Sequence, residues 1–207
     1  MVSSKEDQFI DYYDLKIKEM QDITYGGSLR ALKGRLVESL CENMVKQAWK
    51  DIGGSPERIS IDRRKYYFTD KRGNRYGLSQ DKQVYIDGQF RLSFECKAYA
   101  ELAMYKRVIV DCHILQSRFP DLSFCLFQLE SMLGGDYAEN PAHPKGSPGV
   151  HVVNSFFPHI KLEIITLLDG GREVKREIHK LQFYKPMRTE RVEFALDYFG
   201  GVLSKFL

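Results

Sequence analysis

The stretch LSQDKQVYIDGQFRLSFECKAYAE, residues 78–101, decides the fold because it carries two strand patterns around one strong turn signal. Asp87-Gly88 is a dipeptide that β-hairpins favour at the turn. In the segment after it, apolar and polar residues alternate strictly, so successive side chains point to opposite faces of a strand. One face receives Phe90, Leu92, Phe94 and Cys96, and the other receives Arg91, Ser93, Glu95 and Lys97. The stretch therefore predicts an antiparallel hairpin with one apolar and one polar face.

Helical and strand patterns on both sides of this hairpin complete the outline. Apolar residues recur at three- and four-residue steps between a predicted N-cap at Ser28 and a Gly53-Gly54 stop, which predicts a long amphipathic helix. A helical pattern also occurs near the N-terminus, at 11–20. The remaining predicted elements are strands over 59–68, 76–86, 122–130 and 160–168, helices over 98–118 and after a cap at Thr189, and a turn at 71–74.

This order of elements predicts a mixed α/β fold, with a central mixed β-sheet flanked by helices. The apolar strand at 122–130 is expected inside the sheet, joined to the hairpin by a strand–helix–strand crossover. A chain of 207 residues suits one domain, here 1–207. Residues 131–159 are rich in Gly, Pro and polar residues, and a segment of that kind inside a domain usually carries function or is disordered.

Composition excludes several classes of protein. A hydrophobic fraction of 43% supports a real core, and a net charge of +3 permits a nucleic-acid partner without requiring one. The four cysteines show neither a CxxC pair nor zinc-ligand spacing, which indicates reduced thiols in a cytoplasmic protein. We expect no secretion leader and no membrane span, since no apolar run reaches 18 residues. Neither a P-loop nor a GxSxG elbow occurs.

A carboxylate followed two residues later by a lysine is a weak pattern, and three copies occur, at 14–16, 95–97 and 173–175. Only Glu95 and Lys97 lie on a strand with a clean period of two, which places both side chains on one face. Carboxylates that hold Mg²⁺, with a lysine that serves the attacking water, suit hydrolysis of a phosphodiester. The simpler alternative is an ion pair on a solvated face of the sheet, worth about 0.2–1 kcal/mol.

A second carboxylate must come from the neighbouring strand, and Asp81 and Asp87 are the candidates. Asp87-Gly88 fits the turn itself, so Asp87 is interpreted as a turn residue. A three-residue turn over 86–88 with a bulge at Gly88 would pair Asp81 with Ser93, diagonal to Glu95 and on its face. A two-residue turn would instead pair position 80 with Glu95. We therefore predict Asp81 as the partner of Glu95.

With "SQD" on one strand, "SFECKAYAE" on the next and a crossover helix after it, the chain resembles the PD-(D/E)xK nuclease core of type II restriction endonucleases. The resemblance covers about 28–130 and implies Asp81, Glu95 and Lys97 as catalytic residues, with Mg²⁺ as cofactor and a 5′-phosphate in the product. Gln80 departs from it, because proline is usual there. Members often add a glutamate from the first helix, which implies Glu38 as a third metal ligand.

The resemblance implies a homodimer that cleaves double-stranded DNA, with target recognition and dimerisation in 131–207. The predicted DNA-binding residues there are Lys145, His151, Asn154, Arg172, Lys175, Arg176, Lys180, Lys185 and Arg188. A second basic stretch, 63–75, is a weaker candidate, and a solvated surface of mixed charge is the alternative for both. A repair or junction nuclease, or a catalytically inactive DNA-binding module, remain the other functions to be tested.

Overall fold

The computed structural model describes residues 4–23, 26–133, 146–173 and 175–207. Five strands form one mixed sheet in the order β1-β4-β5-β6-β7, and two form a separate hairpin. The strands are β1 (Ile59–Asp62), β2 (Tyr66–Thr69), β3 (Arg75–Leu78), β4 (Lys82–Ile86), β5 (Gln89–Ala100), β6 (Ser123–Ser131) and β7 (Leu162–Thr166). The helices are α1 (Lys5–Met20), α2 (Gly26–Asp51), α3 (Leu102–Gln116), α4 (Pro148–Phe156) and α5 (Thr189–Leu203).

The predicted fold class is confirmed, because helices cover both faces of this mixed sheet. One core lies between the sheet and α1, α2 and α5, and the other lies between the sheet and α3 and α4. The strand β6 pairs in parallel with β5 through the predicted α3 crossover and is buried along nearly its whole length. All four cysteines are buried thiols without a disulfide. No described helix is both long and apolar enough to cross a membrane.

Several predicted boundaries are wrong. The predicted strands 59–68 and 76–86 each divide in two, because β2 and β3 leave the main sheet and pair with each other. The helix predicted over 98–118 begins only at Leu102, since residues 98–100 continue β5. Part of the segment 131–159 forms α4, while residues 134–145 lie outside the described ranges.

Two predicted helix caps are also wrong. The helix α2 begins two residues before Ser28, which lies in its first turn. At α5 the N-cap is Arg188, so Thr189 is the first helical residue. A capping box is present at α1, where the Ser4 hydroxyl accepts from the Asp7 amide and the Asp7 carboxylate accepts from the Ser4 amide.

The turn of the β4–β5 hairpin has two residues, not the predicted three. Ile86 pairs with Gln89, and the φ angles of Asp87 and Gly88 are 51° and 75°, as a type I′ turn requires. A bulge follows, because Tyr85 pairs with Phe90 but Val84 pairs with Leu92, which leaves Arg91 as the extra residue. The bulge therefore lies at Arg91 and not at Gly88, where it was predicted.

The bulge also changes which face Phe90 occupies. Phe90 packs in the core on the α3 side, whereas Leu92, Phe94 and Cys96 pack on the α2 side. The predicted alternation is thus correct from Leu92 onward and wrong at Phe90. After the bulge the polar face of β5, with Glu95 and Lys97, is the face that α3 crosses.

Gly88→Ala should lower the free energy of unfolding by about 1–2 kcal/mol, because an alanine at positive φ is strained even though open space surrounds this position. Gly34→Ala is the matched control, since Gly34 lies inside α2 and its Cβ would also meet nothing within 4 Å. The control should stabilise the protein by about 0.5–1 kcal/mol. Urea unfolding of both variants measures the two effects. An equal loss of stability in both would contradict the assignment of Gly88 to a turn position with positive φ.

Candidate active site

Asp81 and Glu95 meet at the point where β4 begins. Lys82 pairs with Phe94 in the antiparallel ladder, so continuing the register by one residue places Asp81 directly opposite Glu95. The backbone amide of Cys96 donates to Asp81 Oδ2 at 2.9 Å, which fixes this carboxylate against β5. Asp81 and Glu95 are therefore brought together as predicted, but Asp81 lies directly opposite Glu95 and not diagonal to it.

The ammonium group of Lys97 lies between these two carboxylates. Its Nζ is 3.0 Å from Asp81 Oδ2 and 2.8 Å from Glu95 Oε1. The side chains of Asp81 and Glu95 are only 14% and 7% exposed, so the three charges form a largely desolvated group. The sequence left open a simpler alternative, an ion pair on a solvated face of the sheet. The structure instead shows a lysine cation between two converging and largely buried carboxylates.

Two arginines also lie close to the carboxylates of this group. Arg107 on α3 donates to Glu95 Oε1 at 2.7 Å, and an amino group of Arg63, just after β1, lies 3.6 Å from Asp81 Oδ1. Both guanidinium side chains are more than half exposed, at 61% and 60%. They therefore face the solvent while their ends contact the two buried carboxylates.

The pKa values of the neighbouring groups follow from this arrangement. Burial lowers the pKa of Lys97, but the charges of Glu95 and Asp81 raise it more, and the net shift is upward. The charged form of Lys97 is thus stabilised by the two carboxylates that contact it. The pKa of the Asp111 carboxyl group on α3 is also raised, because burial and the negative charge of Glu95 disfavour its ionised form.

These groups line a cleft of about 270 Å³. Its walls consist of Arg63, Tyr76, Gly77, Leu78, Ser79, Asp81, Glu95, Lys97, Arg107 and Asp111. The cleft opens along the end of the β2–β3 hairpin on one side and along α3 on the other. Its size and polarity suit a phosphate group better than an apolar ligand.

Sequence reasoning missed Arg107, Asp111, Arg63 and Tyr76 as cleft residues. Arg107 and Asp111 are four residues apart, so a helical period on α3 could have placed them on one face. Two other polar residues of this region, Glu101 and Tyr105, do not line the cleft. Glu101 is the exposed N-cap of α3, and the buried Tyr105 donates to Asn154 Oδ1 at 2.5 Å.

Glu38 does not join this group in the structure. Its carboxylate lies 3.8 Å from Lys82 Nζ, which also contacts Glu42 at 2.9 Å. Within the ranges that the structure describes, no three His, Cys, Asp or Glu side chains lie together as a metal site. Asp81 and Glu95 are the two carboxylates that contact Lys97 in this cleft.

Asp87 lies at the opposite end of β4 from this cleft. Its carboxylate accepts hydrogen bonds from Nε and Nη2 of the Arg58 guanidinium, at 3.0 Å and 2.7 Å. This pair lowers the pKa of Asp87, mainly through the hydrogen bond from Arg58. The interpretation of Asp87 as a turn residue is confirmed by its position and its φ angle of 51°.

The residues predicted to bind DNA have varied surroundings. Lys145 lies outside the described residues, while His151 and Asn154 are exposed on α4. Three of the basic side chains contact carboxylates of the chain at 2.5–2.9 Å: Arg176 with Glu173, Lys185 with Glu130, and Arg188 with Asp169.

The other three basic candidates have no carboxylate within 4 Å among the described residues. The guanidinium of Arg172 stacks on the ring of Tyr99 at 3.6 Å from its centroid. Lys175 and Lys180 are exposed. These three residues keep the most charge available for a partner, and the other three are partly neutralised within the chain.

Comparison with known proteins relates this geometry to a family. No family model matches the chain. The chain is 41% identical over 211 residues to the type II restriction enzyme DdeI of Desulfomicrobium norvegicum, and the match covers 91% of this chain and 88% of that protein. The chain belongs to the type II restriction enzymes. This membership confirms the prediction of a type II restriction endonuclease, a site-specific deoxyribonuclease.

Among solved structures, this restriction enzyme is similar to the one described as the native BbvCI A2B2 tetramer at low resolution. The similarity covers 96% of this chain and 87% of that chain, with a TM-score of 0.39 and 11% sequence identity.

Proposed function

We propose that this type II restriction endonuclease hydrolyses phosphodiester bonds of double-stranded DNA with Mg²⁺, and that Asp81, Glu95 and Lys97 form its catalytic centre. We further assign it to the PD-(D/E)xK superfamily, because the aspartate lies just before β4 and the glutamate and lysine lie on β5, its partner strand, which leads into a crossover helix. The observation that carries the proposal is the Lys97 ammonium held 3.0 Å and 2.8 Å from two nearly buried carboxylates.

The carboxylates present fit a magnesium ion. Mg²⁺ is bound in phosphoryl-transfer sites by one or two carboxylates together with substrate phosphate and water, so Asp81 and Glu95 suffice as protein ligands. Glu38 remains the third proposed ligand, although it contacts Lys82 in the structure. When bound, Mg²⁺ supplies positive charge that polarises the scissile phosphate and acidifies a water molecule.

The chain's own residues have distinct proposed roles. Lys97 orients the attacking water and offsets the charge that develops on the phosphate, as its position between both carboxylates allows. The Cys96 amide keeps Asp81 in place. Arg107, with its end at Glu95 and most of its side chain in solvent, is placed to contact a phosphate oxygen at the mouth of the cleft.

We propose that the enzyme acts as a homodimer, because two copies of one centre can cut both strands of a palindromic site. The proposed DNA contacts after residue 131 are His151 and Asn154 on α4, with Lys145 and the six predicted basic residues from Arg172 to Arg188. Arg172, Lys175 and Lys180 are the strongest of these, since no described carboxylate neutralises them. A cytoplasmic location is consistent with four unpaired thiols.

Digestion of phage DNA by the purified enzyme, with Mg²⁺ and with a chelator, tests this proposal. Discrete fragments that require Mg²⁺ are the expected result. A Mg²⁺-dependent preference for branched or damaged DNA over the linear duplex would favour a repair or junction nuclease. Tight DNA binding without cleavage of any substrate, in the presence of any divalent metal, would indicate an inactive binding module.

A further inference from the structure

The β2–β3 hairpin concentrates positive charge beside the active site. Residues 63–78 contain six basic residues and one acidic residue, Asp70. The net charge of this segment alone therefore exceeds the net charge of +3 that the whole chain carries. Asp70 closes the turn, where its carboxylate accepts from the backbone amides of Arg72 and Asn74.

The hairpin has two different faces. Tyr66, Phe68 and Leu78 belong to the core on the α3 side and attach the hairpin to the protein. The ladder pairs Tyr67 with Gly77, so these residues point to the opposite face. That outer face also carries Lys65 and Arg75, and we refer to Lys65, Tyr67, Arg75 and Gly77 together as the outer patch.

Both cations of the outer patch stack on one ring. The Arg75 guanidinium lies 3.8 Å from the centroid of the Tyr67 ring, and Lys65 Nζ lies 5.6 Å from it. Tyr67 as a whole is 44% exposed. Neither cation has a described carboxylate within 4 Å, whereas the nearby Arg64 forms an ion pair with Asp62 at 2.7 Å. The outer patch therefore presents two positive charges to solvent, and both contact the ring of Tyr67.

Gly77 leaves room for this arrangement. A Cβ at Gly77 would lie 2.4 Å from Lys65 Cε and 3.1 Å from Tyr67 Cε1. The stem of Lys65 thus crosses the hairpin directly over the glycine. A glycine inside a strand often marks such a close approach. Here the absent Cβ leaves space for the Lys65 side chain next to the ring.

The outer patch borders the catalytic cleft at Gly77, which lines the cleft. Residues 76–79, at the end of β3, line the cleft and lead within two residues to Asp81. At the start of the hairpin segment, Arg63 lies 3.6 Å from Asp81 Oδ1. DNA with a phosphate in the cleft would therefore lie close to the end of this hairpin.

We propose that the outer patch binds the phosphate backbone of duplex DNA next to the scissile bond. The inference rests on the proposed function, because it assumes that DNA is the substrate in the cleft. Uncompensated lysine and arginine side chains release counterions when they neutralise DNA phosphates, which supplies affinity without reading sequence. A two-stranded ribbon also has the dimensions to lie along a DNA groove.

The test measures the salt dependence of DNA binding by fluorescence anisotropy, with a labelled duplex in the absence of divalent metal. The wild type is compared with the double variant Lys65→Gln/Arg75→Gln. The matched control is Lys18→Gln/Lys50→Gln, which removes two exposed lysines from α1 and α2, on the opposite face of the sheet. Thermal unfolding of all three proteins establishes that the fold is intact.

Loss of two phosphate contacts should reduce the slope of log K against log salt by about two, at about 0.9 per contact, and the control should keep the wild-type slope. A double variant that keeps the wild-type slope would overturn the inference, and so would an equal loss in the control. If the wild type binds no DNA and cuts none with Mg²⁺, the proposed function itself fails, and the inference fails with it.

Discussion

Lys97→Ala is expected to reduce the rate of DNA cleavage by on the order of 10²–10⁴-fold, the range for loss of one positioned catalytic group. Lys97 is the cation shared by Asp81 and Glu95, at 3.0 Å and 2.8 Å. Without it, the attacking water loses its positioning group and the developing phosphate charge loses a counter-charge. Single-turnover cleavage of plasmid DNA with Mg²⁺ measures the rate without a contribution from product release.

Binding must be measured beside cleavage, because a lysine that only grips DNA would also slow the reaction. The Lys97→Ala protein should retain its affinity for duplex DNA within a few-fold. Lys106→Ala is the matched control, since Lys106 is an exposed lysine on α3 next to Arg107. Full recovery of the Lys97→Ala rate at saturating protein would show a binding role and contradict the catalytic one.

Phe199→Ala should destabilise the protein by about 3–5 kcal/mol, the cost of removing a large buried ring. Phe199 is fully buried on α5, and its ring packs against Phe94 and Phe127 with centroid distances of 5.3 Å and 6.1 Å. These contacts hold α5 on the face of β5 and β6 opposite the catalytic side chains. Equilibrium unfolding in urea measures the loss.

Phe194→Ala on the same helix is the control for this substitution. The Phe194 side chain is already 46% exposed, so its truncation removes less apolar surface from the core and should cost clearly less. Equal losses for Phe194 and Phe199 would contradict the described packing of α5. Retained cleavage at low temperature by the Phe199→Ala protein would confirm that its effect is on stability alone.

The β4–β5 hairpin illustrates how far the sequence determines this site. Strict alternation and Asp-Gly turn chemistry were sufficient to predict the hairpin and to prefer Asp81 over Asp87. The register was predicted with the wrong turn, because strand periodicity does not reveal where a bulge lies. The structure has a two-residue turn and a bulge at Arg91, and the two together place Asp81 opposite Glu95.

Side chains that reach the cleft from other elements were harder to predict. Arg107 and Asp111 come from α3, and their direction depends on how that helix crosses the sheet, which no local pattern specifies. Glu38 shows the same difficulty in reverse. It lies on the expected helix, but its carboxylate is 3.8 Å from the Lys82 ammonium group of β4 and does not line the cleft. The splitting of two predicted strands likewise depends on tertiary pairing, since β2 and β3 satisfy each other's backbone groups outside the main sheet.

The most direct test of the catalytic centre compares Asp81→Asn with Asp87→Asn in the digestion of phage DNA with Mg²⁺. Both substitutions remove one carboxylate charge from the same hairpin and keep the side-chain size. We predict that the Asp81 variant binds DNA but yields no fragments, while the Asp87 variant gives the wild-type fragments. Wild-type fragments from the Asp81 variant, or loss of cleavage only in the Asp87 variant, would contradict the assignment of this cleft as the active site.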